Sequence, residues 1–322
     1  MGPQPRTITV EQPFLRTGCS LGEGPLYDPR TSTLHFVDIE CNKVYSTPFR
    51  LGPFQLYHLD TRSSEIKVEQ FEEPLTCLSL RKDGGLACTT AKGFAVVEDG
   101  PTLRYLSQPI PEEHQPFTRF NDGACDSKGR YVAGTMASKD PYIPGQLYIY
   151  DPADNSSRVI DHGPFTDSNG LGWSADDRTM YFTDSLVNKI YAYDYEDGRL
   201  SGRRVFVDAL SHGLLAEGTY PDGLCIDNAG GIWSARWGGS SIVRYTPDGA
   251  FDLQVVFPTV LNVTACCFGG ANEDQLYVTT SHCGACGGDA SRQAQFPDSG
   301  HLFVVDFSGQ FKGGKWRHNF TG

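Results

Sequence analysis

The sequence predicts an all-β protein, a six-bladed β-propeller, and three observations carry that expectation. Short runs of β-branched and aromatic residues alternate with Asp/Asn/Gly clusters along the chain, and no useful window has the period of an amphipathic helix. A unit of roughly 40–50 residues recurs six times, each copy offering three clear strands and a weaker fourth. Gly 36 and Pro 20 are spread through the 322 residues rather than pooled in a tail, as many tight turns require. A large β-sandwich is the alternative, but it has no use for a regular six-fold repeat, whereas radial closure of six small sheets removes their exposed edges.

Taken in order, the first unit runs through residues 22–28, 34–38 and 43–45. The second covers 75–80, 86–88 and 94–97, and the third 120–126, 130–135 and 147–150. The fourth covers 168–173, 180–183 and 190–193, with residues 202–207 as its weaker outer strand. The fifth is the clearest: a turn carrying Asp222 between Pro221 and Gly223, strands at 224–226, 232–235 and 242–245, and Gly-rich turns between them. The sixth covers 263–268, 276–279 and 302–305. Residues 8–15 are expected to lend a strand to this last blade and close the ring, with residues 1–7 a disordered tail and the whole of 1–322 one domain.

Lys+Arg 27 against Asp+Glu 39 gives a net charge of −12, and no basic cluster stands out, so nucleic acid is not an expected partner. No run of 18 uncharged apolar residues occurs and the first residues lead into no apolar signal core, so neither a membrane partner nor conventional secretion is expected. The ten cysteines are scattered, several of them within apolar strand runs, which reads as buried reduced thiols in a cytoplasmic protein. Sequons at Asn155, Asn262 and Asn319 then carry no meaning. A monomer or weak dimer is expected.

In a propeller the innermost strand of each blade starts beside the central channel, so residues at those starts converge although they are remote in sequence. Here those positions hold Glu23, Asn121, Asn169 and Asp222, with Arg119 just before Asn121. Two carboxylates and carboxamide oxygens aimed at one axial point form a hard-oxygen site, suited to one divalent cation: Ca²⁺, Mg²⁺ or Mn²⁺, with Zn²⁺ tolerated. A lone Asn-Gly or Asp-Gly is usually a turn former, and Asp28, Asp83, Asp126, Asp227 and Asp248 are assigned to turns for that reason. Glu23, between two glycines, is no turn-former choice, and Arg119 beside a channel calls for something anionic or oxygen-rich. The Cys283-x-x-Cys286 pair has no second pair to complete a zinc site and reads as a loop over the channel mouth; Trp237, before a Gly-Gly turn, could face the channel. Ser/His/Asp catalysis is not indicated, since no Gly-x-Ser-x-Gly elbow is present.

Six segments together carry a resemblance. Gly22-Glu23-Gly24-Pro25, Arg119-Phe120-Asn121-Asp122-Gly123, Ala133-Gly134-Thr135-Met136, Ser168-Asn169-Gly170-Leu171, Pro221-Asp222-Gly223-Leu224 and Cys266-Cys267-Phe268-Gly269-Gly270, in that order, resemble the regucalcin (senescence marker protein), gluconolactonase and luciferin-regenerating-enzyme-like family. The resemblance implies a six-bladed propeller with one catalytic divalent metal. It implies metal ligands at Glu23, Asn169 and Asp222, substrate contacts at Arg119 and Asn121, and Asp222 as general base. The implied reaction is hydrolysis of a sugar lactone to the aldonic acid. Two other readings stay open: an esterase or organophosphate hydrolase on the same metal site, and a non-enzymatic calcium-binding regulator. One departure touches the substrate. The resemblance implies acidic residues shortly after Gly134-Thr135-Met136, one of them contacting the sugar, where this chain has Ser138-Lys139-Asp140.

Overall fold

Each of the six repeats folds as one small antiparallel sheet, and the computed structural model describes residues 5–40, 54–212 and 218–322 of the chain. The innermost strands of blades I to VI are Gly22–Asp28, Leu75–Leu80, Phe120–Cys125, Ser168–Trp173, Tyr220–Ile226 and Asn262–Gly269. Each pairs outward with the next strand in sequence, so the blades are meanders, interrupted in blade III by a short hairpin between its second and third strands. The weak fourth strand of blade IV is present as Arg199–Asp208. In blade I the third strand is Phe54–Asp60; the expected strand at 43–45 lies outside the described residues. Among the described residues no helix is long and apolar enough to cross a membrane.

Neighbouring blades are sewn together at the axis. Thr264 Oγ1 of blade VI donates to the Gly22 carbonyl of blade I at 2.6 Å, joining last blade to first. Ser168 Oγ of blade IV reaches the Thr135 carbonyl of blade III at 2.8 Å. Between the sheets the apolar faces interlock, with Trp173, Trp233, Tyr131 and Phe94 among the largest fully buried side chains.

The N-terminal strand does not close the last blade as expected. Arg6–Thr9 pairs in parallel with Phe251–Val256, the outer strand of blade V, so pairing also reaches two residues into the expected tail. Ile8 and Val10 pack there against the core shared by blades V and VI. The following segment meets blade VI, through a bridge between Leu15 and Leu302, the Phe14 ring set edge-on to Tyr277, and a further bridge between Leu21 and Ser281. At the far end of the channel the C-terminal residues cross the blades, bridging Asp227 to Gly313, Cys125 to His318 and Arg81 to Phe320.

Candidate active site

The innermost strands share one irregularity that builds the site. The ladder slips between Glu23 and Leu26, Phe120 and Gly123, Ser168 and Leu171, and Pro221 and Leu224. A bulge frees the residues inside it from the pleat and re-aims them. Glu23 borders its slip, while Asn121, Asn169 and Asp222 lie within theirs. All four, with Arg119, line one cavity of about 370 Å³ at the channel mouth. Its upper wall includes Leu186, Trp237 and the loop Ala285–Gly288, so Trp237 and the Cys283–Cys286 loop stand where the sequence reading put them. That loop is fastened across the mouth by the Cys286 N–H, which donates to Glu40 Oε2 at 3.0 Å.

Hydrogen bonds tie three of the residues into a row. Arg119 Nη1 donates to Asn121 Oδ1 at 2.7 Å and to the Phe120 carbonyl at 3.0 Å. Asn121 Nδ2 donates to Asn169 Oδ1 at 3.1 Å and to the Ser168 carbonyl at 2.9 Å. Asn169 Nδ2 donates to Ser185 Oγ at 2.8 Å, which turns the Asn169 oxygen away from Ser185 and towards Asn121. Both N–H bonds of Asn121 are therefore engaged by protein, and its oxygen keeps one lone pair. That is a stiffer role than sequence alone suggested.

Two further carboxylates, absent from the sequence reading, stand beside the row. Asp122, the residue after Asn121, is half-buried and accepts from the Gly123 N–H at 2.8 Å. Asp167, two residues before Asn169, lines the cavity itself. Burial first, then the charge of Asp122, pushes the Glu23 carboxyl up to about 8, against the Gly24 N–H and Arg119, which pull it back. Asp222 is held well above the usual carboxylate range by burial, then by Glu23, Asp167 and Asp122. Asp167 is raised to about 6, chiefly by burial, with Arg119 opposing and Asp184 adding to the rise. Glu23 and Asp222 are thus close enough for the charge of one to disfavour the other, as the axial convergence requires.

Among the described residues no three His, Cys, Asp or Glu side chains are gathered as one metal-holding group. The donors on offer are instead two carboxylates, Glu23 and Asp222, and the carboxamide oxygen of Asn169. Carboxylates that oppose one another in a buried site are stabilised together by a cation between them, and an all-oxygen set suits a hard divalent ion. The residues present fit such a group.

A family model described as SMP-30/Gluconolactonase/LRE-like region matches residues 21–282. The regucalcin of Bos taurus is 32% identical over 298 residues, 90% of this chain and 92% of that protein. The regucalcin of Gallus gallus is 33% identical over 293 residues, 88% of this chain and 90% of that one. Among solved structures, a luciferin-regenerating enzyme is similar with a TM-score of 0.77 at 25% identity, covering 97% of this chain and 98% of its own. A regucalcin from Agrobacterium tumefaciens, described as a calcium-binding protein, reaches a TM-score of 0.81 at 22% identity over 99% and 100% of the two chains, a likeness of fold.

Proposed function

The chain belongs to the SMP-30/gluconolactonase/LRE-like family, and on that premise we propose that it is a metal-dependent sugar lactonase. The observation that carries the reading is the meeting of Glu23, Asn169 and Asp222 in one cavity whose polar wall also includes Arg119, Asn121 and Asp167. Glu23, Asn169 and Asp222 would hold one divalent cation, Ca²⁺, Zn²⁺, Mg²⁺ or Mn²⁺. When bound, such an ion supplies Lewis acidity towards a lactone carbonyl oxygen.

The chain's own residues do the rest. Asp222, as its carboxylate, takes the proton of the attacking water. Arg119 keeps Nε and Nη2 for the substrate, since Nη1 is spent on Asn121 and Phe120. The spare lone pair of Asn121 accepts from one ring hydroxyl. These contacts fix a polyhydroxylated ring for attack, which is where much of an intramolecular rate advantage arises. The Ala285–Gly288 loop and Trp237 limit water at the mouth. Buried thiols such as Cys88 and Cys267 suit a reducing, cytoplasmic setting.

The test is acid release from aldonolactones by purified protein, with elemental analysis and a chelator control. Asp222→Ala and Asn169→Ala should each lower kcat/KM by about a hundredfold or more, the range seen when a positioned base or electrostatic group is removed. Unchanged turnover in both variants would end the reading. Metal bound without turnover of any lactone, simple ester or phosphotriester would leave the non-enzymatic calcium regulator instead.

A further inference from the structure

Asp167 is the one carboxylate of the cavity that neither the metal set nor the base requires. Its backbone has no freedom to swing away. The Asp167 N–H donates to Asp184 Oδ1 at 3.1 Å, and the Ser185 N–H donates to the Asp167 carbonyl at 3.0 Å. The Thr166 N–H reaches the same Asp184 oxygen at 2.9 Å, and the Thr166 hydroxyl also donates to it. Asp184 is itself buried. The clamp repeats a device of blade I, where Asp38 accepts from the N–H groups of Ser20 and Leu21 at 2.9 and 2.8 Å. The segment leading into the innermost strand is pinned in both blades, but only in blade IV does it hold an acid over the cavity.

What the Asp167 side chain lacks is a hydrogen-bond donor to its Oδ1. Its Oδ1 is buried and accepts no hydrogen bond from any described residue. A buried acceptor left unsatisfied costs about 1–3 kcal/mol, so its retention points to a donor that arrives with a ligand. Among the described residues the cavity lining takes no carboxylate from the neighbouring segment 138–140. Residues Ser138–Lys139 form a two-residue strand against Tyr142–Ile143, and Lys139 is exposed and absent from the cavity lining. That segment is nonetheless adjacent, since the Ala137 N–H donates to the Thr166 carbonyl at 2.9 Å. Across the cavity stands Arg119 with its unused N–H bonds. A fixed acceptor facing fixed donors matches adjacent hydroxyl groups on a ring, each of which donates one bond and accepts another.

We propose that Asp167 is the specificity-determining residue of this site, its free Oδ1 accepting hydrogen bonds from the hydroxyl groups of a polyhydroxylated lactone and thereby disfavouring lactones that carry none. The inference rests on the lactonase reading above and deepens it. A site built to hydrogen-bond a substrate hydroxyl discriminates strongly against the analogue without it, because the buried acceptor is then left bare.

The experiment uses the full chain loaded with its metal and compares wild type with Asp167→Ala and Asp167→Asn on D-glucono-δ-lactone and on unsubstituted δ-valerolactone. The expected result is a KM for the hydroxylated lactone raised at least about tenfold, with the ratio of kcat/KM values between the two lactones falling by a similar factor and the metal content per chain unchanged. Equal losses on both lactones would overturn the proposal, as would loss of the metal, which would make Asp167 a cation ligand. Should wild type hydrolyse no lactone, the lactonase reading fails, and calorimetric titration of the metal-loaded proteins with D-glucitol decides the inference. Binding by wild type that weakens at least tenfold in Asp167→Ala supports it. Absence of binding, or equal binding by both, refutes it.

Discussion

Gly223→Ala should damage the site more than its size suggests. Gly223 follows Asp222 within the bulge, and a Cβ placed on it would lie 2.5 Å from the Ala265 Cβ, 2.9 Å from the Ala265 Cα and 3.0 Å from the Thr264 carbonyl oxygen. All three belong to the innermost strand of blade VI, and none can rotate away. Carbon atoms rest about 3.5–4.0 Å apart, so the innermost strands of blades V and VI must part by about 1 Å. Blade V has no room to yield towards blade IV, because Gly170 already brings that strand so close that a Cβ there would sit 2.2 Å from the Leu224 nitrogen. Overpacking of this kind costs about 1–3 kcal/mol, or a fall in Tm of several degrees. The larger effect falls on Asp222, one residue away, where a displacement of about 1 Å can cost about a hundredfold in rate. Gly84→Ala is the matched control: Gly84 has a φ of +101° with nothing within 4 Å of a new Cβ, so it should lose comparable stability and keep its turnover. Thermal melting and lactone hydrolysis, measured on both variants, separate the effects. If Gly223→Ala melts lower yet keeps kcat/KM within about twofold of wild type, the close approach of the blades does not position Asp222; if its Tm is unmoved, the overlap is absorbed elsewhere.

Three further outcomes are expected. Asp227→Ala should cost about 3–5 kcal/mol, read by guanidinium unfolding, because it leaves the buried Arg244, which donates to Asp227 Oδ2 at 2.7 Å, with the more exposed Asp252 as its ion pair and also removes the acceptor for Trp233 Nε1 and two backbone N–H groups. Asp248→Ala, at an exposed turn, should stay within about 0.5 kcal/mol of wild type. His35, packed against His58 with their Nδ1 atoms 2.8 Å apart, is depressed to about 4 by burial and by that neighbour. Its folded form therefore binds a proton later than the unfolded chain, so stability present above pH 6.5 is lost as the pH falls from 6.5 towards 4, by about 3 kcal/mol over the full window. Between pH 7 and 5 wild type should lose about 2 kcal/mol more than His35→Gln, and parallel losses would refute the assignment.

Strand identity and blade count were legible because each blade is a local meander: its partners follow one another in sequence, and alternating apolar runs between Asp/Gly turns specify them. What was not legible depends on partners brought by closure of the ring. Nothing in residues 6–9 says which sheet edge they will join, and they join blade V because its outer strand leaves that edge open beside an apolar surface. Five Asp residues read alike as turn formers. All but Asp83 accept from nearby turn groups, as expected, but Asp126 and Asp227 also anchor the buried guanidinium groups of Arg130 and Arg244, which no local pattern reveals. Asp83 is not seen to accept such a bond among the described residues, and Asp248 accepts from the Thr246 hydroxyl of its own turn.

The site divides along the same line. Glu23, Asn121, Asn169 and Asp222 could be found from sequence because a repeat aligns them, and equivalence across blades is information that one segment does not hold. Asp122 was hidden because an Asp before Gly reads as a turn former, although the charge of its side chain raises Glu23. Asp167 was hidden because its position, two residues before the aligned one, holds chemically unrelated side chains in other blades (Leu21, Arg119 and Tyr220, which also line the cavity), so the repeat marks no acid there; the clamp of Asp184 holds it in the cavity wall. Residues at the aligned positions form the part of the site that the repeat itself supplies. Asp167, whose clamp has a counterpart in blade I but whose acid does not, is a cavity carboxylate that the repeat does not supply, so discrimination among substrates should respond to changes at Asp167 and Asp184 before it responds to changes in the metal set.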